Sequence, residues 1–324
     1  MHALVQHLAK RRAGIALGVI LALAIVVIGL AVERAEARSD ASIQVVATTT
    51  LVGDVVRNVG GEQIDLTVLL PPNADPHVFE LTPQNLRTLI RADVVFANGL
   101  GLEAFIEDAM ASAGEEINLV HVSEGITPRR PAADGNDEDE GHDGEHEHGS
   151  VDPHVWMSPT NVQTWVDNIE ATLSGLTPAH AATYAANAQA YRTALTDLDA
   201  WIFDRVTEVP QSNRKLVTDH DVWGYFAERY GFEFLGAVIP SLSTGAEPSA
   251  RDIARLIEVI REHDVPAVFV GTTVSSRVAE QVAAETGVEL VPVYTGSLSG
   301  PDGPAATYLD YMRYNVDAIV DALN

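Results

Sequence analysis

Residues 177–210 read TPAHAATYAANAQAYRTALTDLDAWIFDRVTEVP, a stretch with a helix-start signal at one end and a proline at the other. Thr177 can cap a helix and Pro178 fits its first turn, and no Gly or further Pro appears before Pro210. We therefore predict one helix from Pro178 to about Glu208. Roughly 30 residues at about 1.5 Å each reach about 45 Å, which is long enough to lie along the back of two domains and join them.

Strand-like and helix-like segments alternate on both sides of this helix, as is typical of βα units with a mostly parallel sheet. The predicted strands are residues 43–47, 64–70, 93–97 and 117–120 before the helix, and 215–218, 232–235, 265–270 and 288–291 after it. We predict an α/β fold of two (β/α) lobes joined by one long rigid helix. The predicted N-terminal lobe covers residues 43–176, the linking helix 177–210 and the C-terminal lobe 211–324.

The amino-terminal 37 residues have the features of a targeting segment. Basic residues 10–12 precede an uncharged run at 13–32, and Ala35-Glu36-Ala37 fits a small-x-small cleavage site. The run of 20 residues is also long enough to span a bilayer as a helix, so two outcomes stay open: cleavage as a signal peptide, or retention as a membrane anchor. Either way we predict a protein of the periplasm or of the extracytoplasmic face of the cell membrane.

The composition limits the chemistry. The chain has 46 acidic and 20 basic residues, a formal net charge of -26, and this excess argues against binding nucleic acid. It has no cysteine, which excludes disulfides, thiolate metal sites and a lipid-anchored amino-terminal Cys, so we predict that it is not a lipoprotein. Any metal site must therefore use His, Asp or Glu side chains.

A stretch at 131–150 interrupts the βα pattern. Its residues 134–149 contain eight carboxylates and three histidines, His142, His146 and His148, with no large apolar side chain to bury. Two interpretations stay open: a solvated linker, or a loop that captures or senses zinc.

Three histidines stand at or near predicted strand ends. Asp75-Pro76-His77 follows the second predicted strand, and the same triplet recurs as Asp152-Pro153-His154. Proline makes each turn stiff, and the Asp is placed to accept a hydrogen bond from an imidazole N–H. His220 follows the first strand of the second lobe. Because ligands of doubly wound folds bind at the carboxyl ends of strands, the three histidines predict a metal site in the cleft between the lobes.

These motifs resemble the zinc- and manganese-binding solute-binding proteins of bacterial ABC importers. The segments that carry the resemblance are Pro71–Glu80 (PPNADPHVFE), Ala92-Asp93 to Asn98-Gly99-Leu100, Asp152–Pro159 (DPHVWMSP), and Asp219-His220-Asp221 to Tyr225-Phe226-Ala227. The resemblance runs from about residue 43 to the end. It implies two lobes, a long connecting helix, a single metal in the interlobe cleft, and delivery of that metal to a membrane permease with a cytoplasmic ATPase. We also predict a monomer.

The resemblance also implies the ligands. The first three ligand positions of the family fall on His77, His154 and His220, whereas Gly296 stands where many relatives have Asp. The fourth donor is then water or another carboxylate, with Asp302 of the same loop as a candidate. Three imidazoles suit Zn²⁺, since Mn²⁺ prefers oxygen-rich sites. We predict zinc as the cargo, with manganese as the alternative.

Two other classes stay open on the sequence alone. A three-histidine zinc site also occurs in hydrolases, and Asp219, Asp221 or Glu247 could act as the general base. No His-Glu-x-x-His pattern or oxyanion-type signature supports an enzyme, and we predict none. A metal-stabilised adhesin is the remaining alternative, although no repeat array supports it.

Overall fold

The computed structural model describes residues 42–114, 116–130 and 151–324. The predictions for the targeting segment 1–37 and for the acidic stretch 131–150 lie outside these ranges. Within them, no helix is both long and apolar enough to cross a membrane.

Each lobe is built on a four-stranded parallel sheet. The first sheet has the order β2-β1-β3-β4 and the second has the order β6-β5-β7-β8, so both have the same topology. The strands of the first sheet are β1 (Ile43–Ala47), β2 (Ile64–Val68), β3 (Val94–Ala97) and β4 (Leu119–His121). Those of the second are β5 (Lys215–His220), β6 (Glu233–Ile239), β7 (Ala267–Gly271) and β8 (Glu289–Val293). The predicted α/β fold with two parallel sheets is confirmed.

Helices cover the sheets and follow the predicted alternation. They are α1 (Thr50–Gly60), α2 (Pro83–Arg91), α3 (Ala104–Ala113), α4 (Pro159–Leu176), α5 (Ala181–Val206), α6 (Gly224–Tyr230), α7 (Ala250–Glu262), α8 (Arg277–Thr286) and α9 (Tyr308–Leu323). Local capping explains several boundaries. Thr82 caps α2 through its hydroxyl, which accepts from the Asn85 N–H at 3.2 Å, and Thr307 caps α9 in the same way.

The linking helix α5 is slightly shorter than predicted, because Pro178–His180 form a separate 3₁₀ turn before it. Its 26 residues correspond to about 39 Å. Buried side chains recur every three or four residues and give the helix one continuous apolar face. They are Tyr184, Ala188, Tyr191, Leu195, Leu198, Ile202 and Val206. The helix packs against α4, α1 and α9.

The two lobes share one apolar core. The largest cluster of buried side chains includes Phe96 of the first sheet, Leu195 of α5, Phe269 of the second sheet and Ile319 of α9. Buried Trp156 adds polar links across the lobes, since its indole N–H donates to the carbonyl of Thr295 at 3.0 Å. This bond holds the turn that follows His154 against the second lobe.

Candidate metal centre

Three histidines from three segments meet between the sheets. His77 lies in the segment after β2, His154 immediately precedes a 3₁₀ turn at Val155–Met157, and His220 is the last residue of β5. The ring centroids lie 5.1 Å apart for His77 and His154, 5.2 Å for His154 and His220, and 5.5 Å for His77 and His220. One ring nitrogen of each lies within 4.8 Å of the others, and among the residues that the structure describes this group includes no carboxylate.

The spacing of these nitrogens suits one small cation. The Nε2 atoms of His77 and His154 are 3.1 Å apart. Two nitrogens bound to the same tetrahedral Zn²⁺ at about 2.0–2.1 Å lie about 3.3–3.4 Å apart, so little movement of the rings is needed. Burial differs among the three: His154 and His220 are 0% and 2% exposed, whereas His77 is only partly buried.

The two Asp-Pro-His triplets form the same backbone turn. In each, the Asp side chain accepts the backbone N–H of the histidine at 2.9 Å, for Asp75 with His77 and for Asp152 with His154. The predicted bond to the imidazole forms only in the second triplet, where the His154 Nδ1 lies 2.9 Å from Asp152 Oδ1.

Asp75 has a different role from the predicted one. Its Oδ2 accepts a hydrogen bond from the hydroxyl of Thr244, and the two oxygens are 2.6 Å apart. This carboxylate therefore connects the His77 turn to the second lobe. Thr244 carries no local sequence signal for such a role, because it lies 169 residues away from Asp75.

Asp219 supports His220 from within the second lobe. The His220 backbone N–H donates to Asp219 Oδ1 at 2.9 Å, and the Gly271 N–H donates to Oδ2 at 3.0 Å. The Nδ1 of His220 lies 3.1 Å from Asp219 Oδ1 but lacks hydrogen-bond geometry. This contact is therefore mainly electrostatic.

The three imidazoles differ in their proton affinity. Burial lowers the pKa of His77 well below 6.5, and the two neighbouring imidazoles lower it further. Burial and then the charge of His220 lower the pKa of His154 in the same direction. Burial also opposes a charge on His220, but nearby carboxylates, Asp219 foremost, outweigh it and raise its pKa above 6.5. Two of the three rings are thus neutral and ready to bind a cation at neutral pH.

Gly296, at the position where many relatives have the fourth ligand, has little free space around it. A Cβ atom built on Gly296 would lie 2.8 Å from Cδ of Pro76, in the turn that carries His77. Asp302, the proposed substitute, is exposed and is not part of the group of ligand atoms. Glu247, one of the carboxylates considered as a general base, is also exposed.

A cavity of about 330 Å³ opens beside His77. Aromatic and aliphatic side chains from α3 and from the segment before it line one wall, and Ser241–Ser243 of the second lobe line the other. This opening is consistent with the partial exposure of His77 and gives solvent a route to the cluster.

A family model described as ZnuA, zinc-uptake complex component A, periplasmic, matches residues 45–322. The chain belongs to this family. Its members are extracytoplasmic substrate-binding proteins of metal ABC importers, which work with a permease and an ATPase, and they are not enzymes. The hydrolase alternative is therefore excluded, whereas the adhesin alternative stays a hypothesis.

The names and descriptions of similar proteins mention different metals. The chain is 33% identical over 308 residues to the manganese-binding lipoprotein MntA of Halalkalibacterium halodurans, covering 94% of this chain and 97% of the relative. The periplasmic zinc-binding protein TroA from Treponema pallidum has a TM-score of 0.78 at 27% identity, with 87% of this chain and 99% of that chain covered. A manganese-bound periplasmic metal-binding protein from Candidatus Liberibacter asiaticus has a TM-score of 0.73 at 28% identity, over 87% and 100% of the two chains.

These comparisons limit two of the sequence predictions. They support an extracytoplasmic metal-binding protein, but not zinc in preference to manganese. The prediction that the chain is not a lipoprotein finds no support in them, since relatives such as MntA are named lipoproteins.

Proposed function

We propose that this protein captures Zn²⁺ at His77, His154 and His220 and delivers it, as a monomer, to the permease of an ABC importer. The observation that carries the proposal is the cluster of three imidazoles, which in the described part of the chain includes no carboxylate among its ligand atoms. Nitrogen donors favour Zn²⁺, whereas Mn²⁺ prefers carboxylate, carbonyl and water oxygens.

Three carboxylates near the cluster support this assignment, because both oxygens of each already accept hydrogen bonds. Asp75 and Asp152 each accept hydrogen bonds on both oxygens, and so does Asp219. Gly296 offers no ligand atom, and Pro76 fills the space beside it. A four-coordinate ion with one water fits this donor set, and Zn²⁺ accepts that geometry readily.

Manganese is the second candidate, because MntA is named for it and a similar solved structure contains it. Under this alternative, the site would have to complete an oxygen-rich coordination sphere with several waters. Asp221 could contribute as well, since its buried Oδ1 has no hydrogen-bond partner.

The test is a competition titration of the protein lacking residues 1–37. We expect one tight Zn²⁺ per chain and no displacement by excess Mn²⁺. Substitution of His77, His154 or His220 by Ala should abolish tight binding, whereas His263→Ala, at the end of α7 and outside the cluster, should leave it unchanged. Displacement of Zn²⁺ by Mn²⁺ would favour the alternative, and tight binding by an Ala variant would remove that residue from the ligand set.

A further inference from the structure

Arg129 connects the candidate metal centre to the second lobe. It follows β4 of the first lobe, yet its guanidinium lies against the start of α6, and its side chain is 23% exposed. Its Nη1 donates to Asp152 Oδ2 at 3.2 Å, while its contact with Glu228 is longer, at 3.7 Å, and involves a side chain that is 75% exposed. The buried partner, Asp152, is therefore the one that matters for the position of the guanidinium.

The second lobe leaves room for this guanidinium. Gly224 begins α6, and a Cβ atom at that position would overlap Arg129 and come within 2.9 Å of Asp152 Oδ2. Any larger residue at 224 would push the two side chains apart. Glycine here thus permits a close approach of the second lobe to Arg129 and Asp152.

The backbones of Arg129 and Asp152 are fixed together as well. The Asp152 N–H donates to the Arg129 carbonyl at 2.9 Å. The hydroxyl of Tyr225, on α6, accepts the Arg129 N–H at 2.9 Å and donates to the Asp152 carbonyl at 2.9 Å. One tyrosine of the second lobe thereby holds both residues of the pair.

The two oxygens of Asp152 have separate tasks. Oδ2 receives the guanidinium, whereas Oδ1 accepts the backbone N–H and faces the ring Nδ1 of His154. When Nδ1 is bonded in this way, Nε2 is the nitrogen that faces His77, 3.1 Å away. If the carboxylate were free to rotate, Oδ1 would no longer be held towards His154.

We propose that Arg129 is a positioning residue for metal capture: it fixes the Asp152 carboxylate between the lobes and so aims Nε2 of His154 at the metal. This inference rests on the proposed function, because it requires His154 to be a ligand. Partners of this kind around a metal ligand commonly change metal affinity by about 10–100-fold when they are replaced.

The test measures the zinc dissociation constant by chelator competition for Arg129→Gln, with Arg192→Gln as the matched control. Arg192 is 25% exposed and also pairs with two carboxylates, but on the α4–α5 surface. We expect Arg129→Gln to weaken zinc binding about 10–100-fold and Arg192→Gln to leave it unchanged. Arg129→Lys should fall between, since lysine keeps the charge but loses the planar fork.

A double-mutant cycle separates positioning from a general effect on folding. In an Asp152→Asn background, Arg129→Gln should change affinity by less than about twofold, because the group through which it acts is already altered. An equal loss in both backgrounds would overturn the proposal. If Arg129→Gln does not fold, Arg129→Lys decides, and wild-type affinity in that variant would contradict the inference.

The same series distinguishes this proposal from the proposed function. Wild-type protein and His154→Ala are titrated alongside. If His154→Ala binds zinc as tightly as wild type, the proposed ligand set fails. If His154→Ala loses binding while Arg129→Gln and Arg129→Lys keep wild-type affinity, only the positioning role fails.

Discussion

The pH dependence of zinc binding should show one proton, not three, near neutral pH. Imidazole binds a cation only when neutral, and three unperturbed rings with pKa values of about 6.5 would release three protons together. In the structure, burial lowers the pKa of His77 and His154 well below 6.5, while Asp219 and other carboxylates outweigh burial and raise that of His220.

The sign of the effect follows from these directions. As pH falls, the first ring to gain a proton is His220, because its pKa is raised. Zinc affinity should therefore be flat above that pKa and then fall about tenfold per pH unit, or about 1.4 kcal/mol, as pH drops below it. Only well below pH 6.5, where His77 and His154 also gain protons, should the slope steepen towards three protons.

The assay is chelator competition between pH 5.5 and 8, combined with calorimetry in buffers of different ionisation enthalpy to count released protons. Asp219→Asn removes the main carboxylate that raises the pKa of His220, so it should move the start of the fall to lower pH. A loss of about 170-fold between pH 6.5 and pH 5.5 would mean three equivalent rings with pKa values of about 6.5 and would refute this reasoning. A flat profile down to pH 5.5 would refute it too.

Further predictions concern the surroundings of the cluster. Burial, and then the charge of Asp152, raises the pKa of Asp221 to about 6, so the ionised form of Asp221 destabilises the folded protein at neutral pH. Asp221→Asn should therefore raise the melting temperature of the metal-free protein at pH 7.5 and have little effect near pH 4. An equal effect at both pH values would contradict this. Gly296→Asp should weaken zinc binding instead of completing the site, because the new Cβ would clash with Pro76. Gly296→Ala should weaken zinc binding to a similar extent for the same reason. Tighter Mn²⁺ binding by the Asp variant would contradict this and show that the turn around Pro76 can move. Deletion of residues 134–149 should keep the tight site and remove additional zinc ions that bind more weakly. Binding by the histidines of this segment should be weak, because ordering them around a metal costs conformational entropy. An unchanged total zinc stoichiometry after the deletion would mean that the segment is only a linker.

Much of the fold could be predicted because its signals are local. Pro and Gly mark the ends of most segments, and the repeated Asp-Pro-His triplet identifies two histidines that the structure brings within hydrogen-bond distance of each other. The sequence predicts His220 just beyond a strand, and the structure places it as the last residue of β5.

Features that depend on distant contacts could not be predicted. Helix α6 begins only at Gly224, four residues after the end of β5, and the Asp221 N–H between them bonds to the carbonyl of Ser241 in another segment. Arg129 is followed by a second arginine and an acidic stretch, and nothing in that pattern indicates that it reaches Asp152. The different proton affinities of the three histidines likewise arise from burial and from charges that meet only in the folded chain.

The most direct test of the central claim is X-ray absorption spectroscopy at the zinc edge on the zinc-loaded protein lacking residues 1–37. The proposed site predicts three imidazole nitrogens at about 2.0–2.1 Å and one further light-atom donor. A first shell with fewer than three imidazoles, or one dominated by carboxylate oxygens, would contradict the assignment of His77, His154 and His220 as the ligands.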